Sequence, residues 1–331
     1  MSAAITRRRL LLAAAAAAAA PRAWAQPVER KYRVGWIATN SATLREPQAL
    51  AFLQRLGELG FAEGRNLILD RRHADNRIEN FPKVAAGMTK VQYDVIFVSG
   101  PEVTLAAATK ASRDAPIVVV AVDFDPVSTG DVASLAHPGG RVTGITAQQS
   151  TLSAKRLELL KETLPNARKI AVLSNEQTQG QLSVVQGTAR RLGLDTYIAD
   201  VKRPPFDLPT AFAGMTREKC DALLVLGSGL FVPLRSQLVG LAIQSRLPAM
   251  FHQSGWAEAG GLMSYGFNFQ NMWRRGAEMV AAILRGAKAA DTPMETPVSF
   301  ELALNLKTAA TLGITVPQAM LIRADRVFGA T

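Results

Sequence analysis

The sequence predicts an α/β protein of two similar lobes, each a parallel sheet with helices on both faces. Three observations carry the prediction. Apolar runs of strand length alternate with helix-length amphipathic segments, the pattern of βαβ units. The phrase YDVIFVSG, from Tyr93, returns as CDALLVLG, from Cys220. The elements around each phrase recur in the same order, at an offset of roughly 130 residues and within ordinary boundary error.

In the first half, RVGWIAT is a short strand ending in the polar Thr39, Asn40 and Ser41. A helix is expected over about Glu46 to Leu59, where Ala49, Leu50, Leu53, Leu56 and Leu59 recur at helical spacing and Gly60 ends it. Leu67-Ile68-Leu69 is a second strand. A helix around Phe81 to Lys90 leads into YDVIFVSG, a helix runs from about Val103 to Ser112, and Pro116 starts the strand IVVVAV, which ends at Asp123-Phe124-Asp125-Pro126. The second half repeats this. KIAVLSN is a strand ending in Ser174 and Asn175, followed by a helix over about Gln181 to Leu192 that Gly193 ends. LDTYIADV is a strand, a helix near Ala211 to Lys219 leads into CDALLVLG, Leu234 to Ser245 is helical, and Pro248 starts AMFH. Runs such as IFV, IVVV and LLVL suit strands buried on both faces, so the halves read as two Rossmann-like lobes. In open α/β sheets ligands bind beyond the carboxyl ends of the strands, so two facing lobes would share one cleft.

The chain has 331 residues, 48% of them hydrophobic, enough for two packed domains. The formal charge is +11, but Arg7, Arg8, Arg9 and Arg22 all precede Gln26 in a stretch without acids. The remaining charges are scattered, apart from Arg71-Arg72, with no basic stripe carrying interleaved aromatics and no zinc-finger spacing, so a nucleic-acid partner is not expected. The first 25 residues form a secretory signal: a basic start, an apolar run from Leu10 to Ala20, Pro21, and Ala23-Trp24-Ala25 at small-residue cleavage spacing. Thr6-Arg7-Arg8-Arg9-Leu10-Leu11 fits the twin-arginine pattern. Cleavage near Ala25 would release a soluble protein. Cys220 is the single cysteine, so no internal disulfide can form, and its place before a buried strand suits a small core residue.

No catalytic constellation can be assembled from these residues. His73 lies in the charged RRHADN and His137 before a Pro-Gly-Gly turn; only His252 stands at a strand end. Metal-ligand spacings, a nucleophile elbow and a Walker loop are missing, and neither metal nor cofactor is expected. Gly227-Ser228-Gly229 falls between strand and helix, but position 232 is Val and no acid follows at the dinucleotide-binding distance, so it reads as a tight turn. What the strand ends offer is hydrogen bonding without reactivity: Thr39, Asn40, Ser41, Ser99, Asn175 and Ser228. Ser99-Gly100 precedes a helix, whose N–H groups could receive a carboxylate. Asp123 and Asp125 could hold an amine or hydroxyl, and Trp256, Phe231 and Phe124 could wall the ligand. Asp125-Pro126 reads equally as a turn and cap, and Trp256 equally as hinge packing.

The chain resembles the tryptophan/tyrosine-type solute-binding proteins of ABC importers, with their type I periplasmic binding fold. The residues that carry the resemblance are LGFAEGRNLILDRRHADN from Leu59, YDVIFVSG, DPVSTGDVASLAHPGGRVTGIT from Asp125, KRLELLKETLP from Lys155, CDALLVLG, RLPAMF, EAGGLMSYG from Glu258 and FELALNLKTAATLGITVP from Phe300. The resemblance implies that the chain crosses between lobes three times, near Gln148, Gln253 and Asp291. It then implies a first lobe of residues 31–147 plus 254–290, GLMSYG being a strand of that lobe and Trp273 to Arg285 its last helix. Residues 148–253 plus 291–331 would form the second lobe. Hinge closure would bury a small organic ligand, either an amino acid or an aromatic or apolar carboxylate, for delivery to a membrane permease by a periplasmic monomer that does no chemistry. The alternatives are a periplasmic sensor for a signalling partner and an enzyme on the same lobes. Three positions depart from the family. Ser99-Gly100-Pro101 stands where Gly-Thr-Pro is frequent, Ser228-Gly229 where Asp-Pro is frequent, and Asn175-Glu176 where Asn-Pro is frequent. The acid that would meet an amine is thus missing after CDALLVLG, and Glu176 could replace it or simply cap a helix.

Overall fold

The computed structural model describes residues 30–39, 41–75 and 77–329; the signal segment and Asn40 lie outside them. The first half contributes β1 (Tyr32–Ala38), α1 (Pro47–Glu58), β2 (Leu67–His73), α2 (Phe81–Met88), β3 (Val95–Gly100), α3 (Glu102–Ala111), β4 (Ile117–Val122) and β5 (Val142–Ala147). The second contributes α4 (Gln149–Thr163), β6 (Lys169–Ser174), α5 (Gln179–Arg191), β7 (Asp195–Asp200), α6 (Leu208–Arg217), β8 (Ala222–Val225), α7 (Arg235–Gln244), β9 (Ala249–Phe251), α8 (Ser254–Glu258) and β10 (Met263–Phe267). The chain ends with α9 (Phe269–Leu284), β11 (Phe300–Asn305), α10 (Leu306–Leu312), α11 (Gln318–Arg323) and β12 (Arg326–Phe328).

Two sheets result, in the orders β2-β1-β3-β4-β5 and β12-β11-β10-β9-β8-β6-β7. Every strand pair is parallel except β10 with β11. Both sheets are buried on both faces. Val95 and Phe97 enter one core while Ile96 and Val98 enter another, and Val172 and Leu173 divide in the same way in the second lobe. Residues that alternate between two apolar cores leave no solvent face, which is why these strands read as unbroken apolar runs. On the first lobe, Trp36, Phe52, Phe97 and Trp273 form an aromatic cluster, with Phe52 stacked on Phe97 at 4.2 Å and Trp273 edge-on to Phe97 at 5.3 Å. Trp273 belongs to α9, so that helix packs on the core of the first sheet.

One assignment is corrected. GLMSYG is not a strand of the first lobe: Met263 and Ser264 pair with Met250 and Phe251 of β9, and Met263 to Phe267 pair with β11, all in the second sheet. The reason is local. The helix α8 is only five residues long, and Gly260 (φ 106°) and Gly261 turn the chain straight back beside β9, Gly261 donating to the Trp256 carbonyl at 2.8 Å. A side chain at Gly261 would collide with the Phe251 ring at 2.6 Å. The second passage between sheets therefore falls at Asn268, which caps α9 by accepting from Asn271 N–H, and not at Gln253. The third also comes later than Asp291: Glu295 still hydrogen-bonds β5 through Gly144, and β11 begins at Phe300.

Candidate functional site

With β10 included, β7-β6-β8-β9-β10 repeats the order of β2-β1-β3-β4-β5. In each lobe the strand order reverses direction beside the first strand, the place where α/β sheets open a crevice. One cleft is lined by these two crevices. Thr39, after β1, Ser99 and Gly100, ending β3, and Pro101 stand on the first-lobe side; Gly227, Ser228 and Gly229, after β8, stand on the other. His252 and Gln253 follow β9 and also line it, with Gln48, Gln149 and the apolar Val122, Val232, Phe269 and Trp273.

The first-lobe wall depends on Gly100. Its φ of 145° suits glycine, and a Cβ there would meet Thr104 Cγ2 at 2.9 Å and Thr39 Oγ1 at 3.2 Å. The absence of that carbon lets the ends of β1 and β3 approach, and α3 starts at once with no side chain capping it. Its first N–H groups therefore point outward as an anion-favouring end. The second-lobe wall is held by side-chain amides. Gln181 donates to the Gly227 carbonyl at 2.7 Å and accepts from Gly227 N–H at 2.9 Å, clamping the turn. Asn175 donates to Ser228 Oγ at 2.8 Å, Leu230 N–H donates to the same oxygen at 3.2 Å, and the hydroxyl donates to Gln177 at 3.2 Å. A hydroxyl has one donor and two acceptor positions, so that of Ser228 is fully engaged within the protein.

Asp123 joins the lobes. It ends β4 with φ 60°, and its carboxylate accepts from Gln149 N–H at 2.5 Å and from Gln181 Nε2 at 2.6 Å, both in the second lobe. Burial pushes its carboxyl up to about 6, although those hydrogen bonds and the charge of Arg156 pull the other way. His252 is 1% exposed, and its Nδ1 has no partner. Burial, and secondarily the charges of Arg156 and Arg235, holds its imidazole well below the ordinary range, so the ring is neutral. The side chains of Thr39, Gln48, Ser99 and Gln253 make no hydrogen bond among the described residues.

The sequence-predicted residues thus divide. Thr39, Ser99, Gly100, Pro101, Ser228 and Gly229 come together at the cleft. Asn175 is 0% exposed and acts behind it, capping the turn at Gln177 and orienting Ser228. Ser41 sits in an exposed turn and does not line the cleft. Asp125 accepts from Val127 N–H and caps its own turn, Glu176 pairs with Arg203, and Trp256 stacks on Phe251 at 4.9 Å. Phe231 and Phe124 are core residues. Sequence reasoning passed over Gln48, Gln149, Gln181 and Trp273. Only Gln149 and Gln181 left a signal, as polar residues on faces their helices otherwise bury.

The family described as ABC transporter substrate binding protein matches residues 47–328. The chain belongs to this family. This substrate-binding protein is 26% identical over 265 residues to a tyrosine-binding protein of Clostridioides difficile, covering 79% of this chain and 75% of that one. A conserved domain protein from Vibrio cholerae matches it with a TM-score of 0.80 at 26% identity, over 90% of this chain and 100% of the other. An ABC domain in complex with L-Trp from Streptococcus pneumonia reaches 0.78 at 22% identity, again over 90% and 100%, which shows the shared fold. That fold is the type I periplasmic binding fold, and the family's members bind the substrates of ABC transporters rather than transform them. No described helix is long and apolar enough to cross a membrane.

Proposed function

We propose that this substrate-binding protein is the exported receptor of an ABC importer, which closes its two lobes on one small carboxylate-bearing solute and presents the closed form to a permease. The observation that carries the reading is the cleft itself. Both walls are strand ends, the side chains of Thr39, Gln48, Ser99 and Gln253 have no hydrogen-bond partner among the described residues, and apolar side chains line the rest. That is the make-up of a small-molecule site: mostly apolar walls with a few placed hydrogen-bonding groups. Bridges across the lobes support closure: Asp123 to Gln149 and Gln181, and Arg235 to Glu46 at 2.8 Å. The tyrosine-binding relative supports a ligand of amino-acid size. The signal segment supports export to the periplasm by the twin-arginine route; the protein acts there as a monomer in this reading.

The test is a thermal-shift screen of the mature protein, starting at Gln26, against amino acids, aromatic acids and short carboxylates. A ligand at 100 times its Kd should stabilise the protein by about 2.7 kcal/mol. Turnover of a substrate in place of a shift would overturn the reading. Cell fractionation with sequencing of the exported chain's N-terminus checks the localisation, and a cytoplasmic, uncleaved protein would refute it.

A further inference from the structure

The cleft offers donors but no carboxylate among its described lining residues, and that names a ligand class. Gln149 opens α4 at the cleft and is 1% exposed. Its Oε1 accepts a hydrogen bond from the guanidinium of Arg156. A guanidinium only donates, so the orientation of this amide is settled: the oxygen faces Arg156 and the NH2 faces away from it. That NH2 has no hydrogen-bond partner among the described residues. Arg156 is 0% exposed and fixed from the other side by the Tyr265 carbonyl at 2.6 Å. Burial brings its guanidinium down to about 10, which leaves it charged at neutral pH.

Other groups at the cleft can also donate without carrying charge: the hydroxyls of Thr39 and Ser99, which accept as well, the uncapped start of the ten-residue α3, and one nitrogen of the neutral His252. Among the described residues no acidic side chain lines it. Three nearby acids are engaged, Asp123 by Gln149 N–H and Gln181, Glu46 by Arg235, and Glu176 by Arg203, while Glu102 in the first turn of α3 is exposed and does not line the cleft. A carboxylate entering this cleft finds donors on both walls, whereas an ammonium group would be desolvated without a counter-charge.

We propose that the cleft selects an organic carboxylate that lacks an ammonium group, its anion received by the Gln149 NH2 that the buried Arg156 orients. The apolar body of the ligand lies against Val122, Val232, Phe269 and Trp273. The inference rests on the solute-binding reading above and specifies its ligand.

The experiment is isothermal titration of the mature protein with matched probes: 3-phenylpropanoate and 3-indolepropanoate, L-phenylalanine and L-tryptophan, phenethylamine and tryptamine. The amine-free acids should bind at least tenfold more tightly than the amino acids, and the amines not at all. Equal or tighter binding of the amino acids overturns this inference and leaves the solute-binding reading standing. Silence of all six probes also overturns it, and the wider screen then decides the solute-binding reading separately. The near-isosteric Gln149→Glu keeps a partner for Arg156 but presents an acceptor to the cleft. It should weaken the amine-free acids at least tenfold while the amino acids lose less; unchanged affinity for the acids removes Gln149 from the site. The titrations of the unsubstituted protein keep the proposal falsifiable if this variant folds poorly.

Discussion

Asp123 shows how one carboxylate can serve both lobes and what that role costs. Its carboxylate accepts from two second-lobe donors, yet it directly follows a first-lobe strand. The folded protein, with this carboxyl near 6 rather than the usual 3.8, holds the proton more tightly than the unfolded chain. The contribution of Asp123 to stability is therefore highest at low pH, falls as pH rises from about 4 to about 6, and stays low above that. At about 1.4 kcal/mol per unit the loss totals roughly 3 kcal/mol. Asp123→Asn cannot ionise. Between pH 4.5 and pH 7 the wild type should lose about 2 kcal/mol relative to this variant. Urea unfolding at the two pH values measures it, and parallel pH dependence in both proteins would show that Asp123 is not the source. At this scale the sequence was legible for residue type and much less for role. Ser228 and Asn175 stand where polar strand ends were expected, but they spend their hydrogen bonds on each other and on nearby backbone. A sequence displays donors and acceptors; which of them are already paired depends on neighbours such as Gln177 and Gln181 that arrive from another turn or helix.

Among the elements, the turn from β3 into α3 carries the first-lobe wall, and Gly100 is its narrowest point. Gly100→Ala must place a carbon 2.9 Å from Thr104 at a φ of 145°, so the β3 end or α3 has to move. The expected cost is about 1–3 kcal/mol in thermal or denaturant unfolding, with a loss of ligand affinity because the uncapped helix end shifts. An alanine variant of unchanged stability and affinity would show that the turn has slack. The alternation of elements was legible because strands buried on both faces and amphipathic helices differ in period and length. The strand β10 was misplaced although the repeat pointed to it. PGGRVTGIT leads into β5 and EAGGLMSYG into β10, each with a Gly-Gly pair before the strand. Gly144 and Gly266 match in geometry: a Cβ on either would lie 1.9 Å from a carbonyl of the neighbouring strand, that of Val119 and that of His252. Extending the internal repeat by one strand would have put β10 in the second sheet. The passages between sheets were harder to read, since a short polar stretch such as Gln253-Ser254 looks the same whether it ends a strand at the cleft or leaves the lobe.

In the whole molecule, the proposed closure would be an equilibrium set by the contacts that bridge the lobes. Glu46 precedes α1 of the first lobe, and Arg235 begins α7 of the second; their side chains are 16% and 21% exposed and meet at 2.8 Å. The same guanidinium lies 5.9 Å from the centre of the Trp256 ring. A half-shielded pair of this kind is worth about 1–2 kcal/mol, more than an exposed one, because removing one partner leaves the other poorly solvated. Neither residue is among those proposed to touch the solute, so the first effect expected of Arg235→Ala is on closure, with Glu46 left unpaired beside the cleft as a second. Apparent affinity equals intrinsic affinity scaled by the closed fraction, and for a ligand-free population about half closed a loss near ~1.4 kcal/mol should raise Kd about fivefold. Small-angle scattering separates this from a damaged cleft. If the pair holds ligand-free molecules closed, the variant starts more open, and its compaction on binding a saturating ligand should exceed that of the wild type. A variant with weaker binding but the same compaction would have lost contacts within the cleft, and one with unchanged affinity would mean that Asp123 and the apolar packing suffice to close the lobes.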